Sequence, residues 1–190
     1  MDIVFATHNQ HKTEEARAIA GPNWHIRNLH DLSCTEEIPE TADTLLGNAL
    51  QKAQYVADHY QVDCFADDTG LEIEALDGRP GVYSARYAGE HCSFSDNVRK
   101  VLAEMQGIEN RKACFKTVIA LILNGETHTF EGRVDGRIAT EPHGEGGFGY
   151  DPAFIPEGYD KTFGELPAAV KNSMSHRARA LQNAIKAGII

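Results

Sequence analysis

Apolar positions along the chain recur with two periods, one helical and one of unbroken or alternating strand type. Ile3 to Ala6 form a short apolar run, followed by polar Thr7 to Lys12 and then by Ala16, Ile19 and Ala20 at helical spacing up to Gly21-Pro22. That order predicts strand, loop, helix. Leu45, Leu46, Ala49, Leu50, Ala53, Val56, Ala57 and Tyr60 predict a second helix over about Thr41 to Tyr60, with Asn48 and Lys52 on its polar face. Val98, Val101, Leu102 and Met105 predict a third over Ser95 to Gln106, stopped by Gly107. A last helix is predicted over Ser173 to Ala187, with Ala178, Leu181, Ala184 and Ile185 inward.

Strand patterns fill the intervals. Cys64 to Ala66 and Leu71 to Leu76 read as two strands joined by a tight loop at Asp67-Asp68-Thr69-Gly70. Lys112 to Leu123 and Glu126 to Val134 flank Asn124-Gly125, whose two residues tolerate positive φ, and so predict a long hairpin. Ala153 to Ile155 reads as a brief strand. Hairpins mixed with helices predict an α/β chain with a mixed sheet, not a doubly wound parallel one. With no internal repeat, low-complexity tract or linker, residues 1–190 are read as a single domain.

Charge narrows the partners. Eighteen Lys and Arg against 28 Asp and Glu leave a formal charge of −10. This argues against binding nucleic acid or an anionic membrane by bulk charge, and leaves room for a small phosphorylated ligand. The start of the chain lacks a basic n-region and the longest apolar run, Val118 to Leu123, is far short of a membrane span. Cys34, Cys64, Cys92 and Cys114 form no CxxC pair, so reduced thiols in a cytoplasmic protein are the expectation.

Four stretches could carry chemistry, and each also has an ordinary structural reading. Thr7-His8-Asn9-Gln10-His11-Lys12 joins a strand to a helix, where backbone N–H groups and the positive helix end favour an anion and Lys12 adds a point charge. The same residues would serve as a plain polar connection. Glu40 and the pair Asp67-Asp68 are hard oxygen donors of the kind magnesium accepts. Successive side chains of a strand point to opposite faces, so both aspartates line one cleft only if the chain turns there, and Asp-Asp-Thr-Gly is also common turn chemistry. Gly144 to Asp151 is a glycine-rich loop with two aromatics and a carboxylate, able to stack on and hydrogen-bond a flat ring or to be simply a wide loop. Lys171, Ser173, Ser175, His176 and Arg177 open the last helix as ligand donors or as an ordinary cap. The nine histidines are scattered apart from His8 and His11, and no zinc site is expected.

Five segments in order carry a family resemblance. They are Thr7 to Lys12, Phe65-Ala66-Asp67-Asp68-Thr69-Gly70-Leu71, Pro80-Gly81-Val82-Tyr83-Ser84-Ala85-Arg86-Tyr87, Phe148-Gly149-Tyr150-Asp151-Pro152 and Ser175-His176-Arg177. From residue 3 to about 185 the chain resembles the inosine triphosphate pyrophosphatase family, also called Ham1-like. The resemblance implies a two-lobed single domain with a long mixed β-sheet flanked by helices, an active-site cleft between the lobes, and a homodimer. It implies hydrolysis of non-standard purine nucleoside triphosphates (ITP, dITP, XTP) to monophosphate and pyrophosphate, with Mg2+ as cofactor. Carried over by motif, Thr7, His8, Asn9, Gln10, His11 and Lys12 would hold triphosphate. Glu40 and Asp68 would bind magnesium, with Asp68 also acting on the attacking water, and Lys52 and Lys171 would neutralise phosphate charge. Thr69, Phe148, Gly149, Tyr150, Asp151, Lys171, His176 and Arg177 would contact substrate, with Phe148 stacking on the base and His176-Arg177 near its 6-oxo group. The sequence departs from the pattern at Gly47, where relatives commonly carry glutamate, and at Val170, where an acidic residue often stands. The rival readings are a Maf-like hydrolase of modified pyrimidine nucleotides, a catalytically silent nucleotide sensor, and a structural or interaction protein.

Overall fold

The computed structural model describes residues 1–189. Ile190, the end of the span read as one domain, lies outside the described residues. The chain runs β1 (Asp2–Phe5), α1 (Gln10–Ala20), β2 (His25–Arg27), α2 (Leu45–Tyr60), β3 (Cys64–Ile73), β4 (Pro80–Gly81), α3 (Phe94–Glu104), β5 (Lys112–Leu123), β6 (Glu126–Ile138), β7 (Phe154–Pro156), α4 (Ala168–Met174) and α5 (His176–Lys186). The strands are hydrogen-bonded in the order β2-β1-β3-β5-β6-β7, with β4 on β3. β1 is parallel to both β2 and β3, whereas β4 on β3 and β7 on β6 are antiparallel, so the sheet is mixed as the patterning predicted.

Local chemistry sets the element ends. Asn9 caps α1 by accepting from the Lys12 amide, Thr44 caps α2 by accepting from Gly47, and Ser93 with Asp96 forms a reciprocal capping box on α3. The Asn124-Gly125 turn has φ of 50° and 81°, as a tight hairpin between twisted strands requires.

Several boundaries differ from expectation. α2 starts at Leu45, four residues late, because Thr44 spends its hydroxyl on the cap. Residues Asp67 to Gly70 form no tight loop: β3 runs unbroken from Cys64 to Ile73. The last helix is two helices, interrupted at Ser175, whose backbone is extended at φ −66°, ψ 165°. Ser173 donates its hydroxyl to the Val170 carbonyl there, a local competitor to helical pairing that apolar spacing does not register. In α5 the buried stripe is Ala178, Ala180, Leu181 and Ala184, and Ile185, expected inside, is 38% exposed. The brief strand after the glycine-rich loop begins at Phe154, one residue late, because Asp151–Ala153 close a single 3-10 turn. β2 and β4, of three and two residues, are too short to leave a periodic trace.

Residues group into two compact units. The first comprises Met1–Asp68, Thr117–Gly132 and the chain from His176 onward, and the second Thr69–Lys116 with Arg133–Ser175. In the first, Ile3, Phe5, Ala16, Ile26, Phe65, Ile119, Leu121 and Leu181 form the core, with the Phe5 and Phe65 rings stacked at 4.3 Å. In the second, Leu71, Ile73, Val101, Met105, Phe115, Phe154 and Phe163 do so. No helix among the described residues is long and apolar enough to cross a membrane.

One glycine fixes how closely α5 docks within the first unit. A Cβ on Gly132 of β6 would lie 2.0 Å from the His176 carbonyl oxygen and 2.4 Å from the Ala180 nitrogen. Neither backbone atom can move without shifting the helix. Gly132→Ala is therefore expected to destabilise the protein by about 1–3 kcal/mol or more, read as a lower urea midpoint at unchanged slope.

Candidate active site

Strand alternation separates the two aspartates of β3. Asp67 is 1% exposed, and its carboxylate is held at both oxygens: Lys12 Nζ lies 2.8 Å from Oδ1 and Arg177 Nε 2.9 Å from Oδ2. Arg177, equally buried, also pairs through its Nη1 with Glu15. Burial on its own would raise the Asp67 pKa, but the Lys12 and Arg177 charges, with Lys52 behind them, hold it well below the ordinary carboxylate range.

Asp68 sits differently. Its side chain is 13% exposed, its Oδ2 accepts from Asn48 Nδ2 at 3.1 Å, and its Oδ1 is 4.0 Å from Lys52 Nζ. Burial pushes its pKa up, and the attraction of Lys52 and Lys12 only partly offsets this. Asn48 and Lys52 stand one turn apart on α2, and both face inward, at 1% and 8% exposure. The Asn48 side chain is oriented from behind, its Oδ1 accepting the Ala42 amide at 2.9 Å. Lys52 donates to the Asp67 carbonyl at 2.6 Å and pairs with Glu40 at 2.5 Å. Burial by itself would neutralise this lysine; the charges of Glu40, Asp68 and Asp67 more than compensate and keep it protonated. Glu40 is correspondingly depressed, the Lys52 charge outweighing its burial.

The Thr7–Lys12 segment is half loop and half helix. Thr7 Oγ1 accepts the Asn9 amide and Asn9 Oδ1 the Lys12 amide, so part of the anticipated amide surface is already used within the segment. His8 Nε2 bonds the Glu36 carbonyl at 2.9 Å, and Gln10 bonds Asn28 and Glu14. His11 is exposed. Gly47, the departure from the family pattern, lies under the turn that leads into α2: a Cβ there would come within 2.6 Å of the Ala42 Cβ. His176 and Arg177 open α5, both buried.

In the second unit Asp151 is the organising residue. Its Oδ2 accepts the Phe148 amide at 3.0 Å and the Lys171 ammonium at 2.6 Å, and a Cβ on Gly147 would fall 2.0 Å from that same oxygen. Gly147 and Gly149 take positive φ, 68° and 61°, on either side of Phe148. Lys171 Nζ lies 4.7 Å from the Phe148 ring centroid. Tyr150 is turned into the core with its hydroxyl on the Ser84 carbonyl at 2.6 Å, so of the two loop aromatics Phe148 alone remains half-exposed. Gly146 donates to the Gly164 carbonyl, and the loop is tied down rather than loose. Thr69, at the start of this unit, follows Asp68 on β3.

Sequence patterning did not single out Glu15 or Asp67 as partners of Arg177. Glu15 reads as one more polar residue of an amphipathic helix, and only the fold brings it to a guanidinium 162 residues away.

Solved structures share this fold. The Staphylococcus aureus Ham1 protein superposes with a TM-score of 0.86 at 38% identity, over 100% of this chain and 98% of that one. A Mycobacterium abscessus structure described as a nucleoside-triphosphatase and dITP/XTP pyrophosphatase has a TM-score of 0.76 at 39% identity, over 97% and 99%. Residues 3–187 match the Ham1 family, and the chain belongs to it. A Porphyromonas gingivalis relative named dITP/XTP pyrophosphatase is 54% identical over 94% of this chain and 93% of its own.

The two aspartates should part company in stability. Asp67→Asn removes the carboxylate that Lys12 and Arg177 share, leaving Arg177 with Glu15 as its remaining carboxylate among the pairs described, and is expected to cost about 3–5 kcal/mol in urea unfolding, while Asp68→Asn, which removes a charge that burial disfavours, costs little. Because the native Asp67 pKa lies below that of the unfolded chain, its contribution is complete above about pH 4 and is lost as the pH falls through the native value.

Proposed function

We propose that this chain is an enzyme that hydrolyses non-standard purine nucleoside triphosphates, ITP, dITP and XTP, to the monophosphate and pyrophosphate. The observation that carries the reading is the inequality of the two aspartates: Asp67 is saturated by cations, whereas Asp68 is partly open and oriented by Asn48. Relatives of nearly full length named dITP/XTP pyrophosphatase support the substrate class.

Charge in the first unit favours a metal-bound triphosphate over a bare one. Lys12, Lys52 and Arg177 stand among Glu15, Glu40, Asp67 and Asp68, three cations among four carboxylates. Among the described residues no three His, Cys, Asp or Glu side chains form a ready metal cage. Two carboxylates, Glu40 and Asp68, fit Mg2+, which keeps waters and substrate phosphates as its other ligands. Bound there, magnesium would neutralise charge on the phosphates as the bond to the leaving pyrophosphate breaks.

In this reading Asp68 orients the attacking water and takes its proton as the oxygen bonds to the α-phosphorus, and pyrophosphate leaves in line. Lys12 and Lys52 keep their carboxylate partners and turn their remaining N–H donors to phosphate oxygens, with Thr7 to His11 supplying further donors. Phe148 stacks on the base, Asp151 and Lys171 hold that ring and its loop, and Gly149, Tyr150 and Thr69 shape the surroundings. His176 and Arg177 donate to the 6-oxo group, an acceptor that adenine, with an amino group in its place, does not offer. A pocket offering no partner to a 2-amino group would disfavour guanine. The active species is a cytoplasmic homodimer in which each chain acts as one domain.

Product analysis tests this. With magnesium, ITP and XTP are expected to yield pyrophosphate and not orthophosphate; ATP, TTP and GTP turn over far more slowly, and EDTA stops the reaction. Tight ITP binding without turnover would replace the enzyme by a sensor. Preference for modified pyrimidine triphosphates would overturn the purine assignment. Asp68→Asn is expected to lose about 10²–10⁴-fold in kcat while melting like the parent protein.

A further inference from the structure

Phe94 is a large apolar residue left 46% exposed at the first position of α3. A single exposed apolar side chain needs no explanation of its own. This one, however, is set against another aromatic: its ring centroid lies 6.1 Å from that of Phe148, with the planes inclined at 49°. Both values are those of a tilted aromatic pair.

The two rings are anchored from opposite kinds of backbone. Phe94 follows Ser93, whose hydroxyl accepts the Asp96 amide while the Asp96 carboxylate accepts the Ser93 amide, so the helix start is fixed at two points. Phe148 stands between two glycines of positive φ, the least constrained backbone a protein has. Lys171 meets the Phe148 ring and Asp151 fixes its amide, but neither contact is directional about the side-chain torsions of Phe148. The Phe94 ring, on a helix start capped at two points, meets the Phe148 ring directly.

We propose that Phe94 is a positioning residue for substrate: it holds the Phe148 ring in the orientation that stacks on the purine. The proposal rests on the reading of Phe148 as the stacking ring. Its effect falls on binding, because the base is remote from the bond that breaks and is held alike in ground and transition states.

Steady-state kinetics on ITP with magnesium test it in Phe94→Ala, Phe94→Tyr, Phe148→Ala and the double Phe94→Ala/Phe148→Ala protein. Loss of the aromatic pair is expected to raise KM about three- to tenfold in Phe94→Ala with kcat within about twofold, to leave Phe94→Tyr like the parent, and to add nothing in the Phe148→Ala background. The exposed position makes unfolding no rival explanation, and an unchanged melting temperature confirms that. If Phe148→Ala raises KM while Phe94→Ala does not, or if Phe94→Ala adds its full effect to Phe148→Ala, the positioning role is overturned and the stacking role stands. If Phe148→Ala leaves KM unchanged, the stacking reading itself falls and this inference with it.

Discussion

A carboxylate with almost no exposed surface has to be neutralised from inside the protein, and the first unit is arranged around that need. Asp67 lies on β3; the charges that meet it come from the first turn of α1, through Lys12, and from the start of α5, through Arg177. Lys52 of α2 adds a hydrogen bond to the Asp67 carbonyl. Removing any one of these elements would leave a charge in a medium that cannot hold it. The network therefore ties three helices to one strand residue by electrostatics, in addition to the apolar packing of Phe5, Phe65 and Leu181.

The position of Asp68 is a consequence of that constraint. Once Asp67 is fixed facing inward, the pleat of β3 leaves its successor no choice of side. Asp68 then meets α2, where Asn48 and Lys52 are spaced by one turn and both directed inward. A strand period of two and a helix period near four are enough to bring a carboxylate, an amide and an ammonium to one place without any special backbone.

How much of this was legible in the sequence follows from which residues act locally. Alternation, helical spacing and the Asn-Gly turn read out β5, β6, α1, α2 and α3 to within a few residues, since each depends on neighbours in the chain. The Asp-Asp-Thr-Gly stretch misread as a tight loop shows the converse: its residue types favour loops, and its strand geometry comes from a sheet in which β3 pairs with β1, β5 and β4, segments outside the local sequence. The break at Ser175 is hidden for a related reason, because the apolar spacing continues through it while the backbone there turns extended. Short motifs pointed to Lys12, Asp68, Asp151, Lys171 and Arg177 by resemblance; the partner Glu15 carried no motif.

The second unit solves the same problem on a smaller scale. Asp151 and Lys171 form a buried pair, at 4% and 5% side-chain exposure, and the pair fixes a glycine-flanked loop by accepting one backbone amide. A buried ion pair contributes little net stability, since desolvation offsets most of its attraction, but breaking it is costly, so it tolerates one geometry and few others. That property suits both places where it occurs. Around Asp67 it leaves Asp68 as the aspartate of the pair that stays partly open to solvent, and around Asp151 it leaves Phe148 as the half-exposed ring of its loop. In each unit a group that meets solvent stands beside an ion pair that does not.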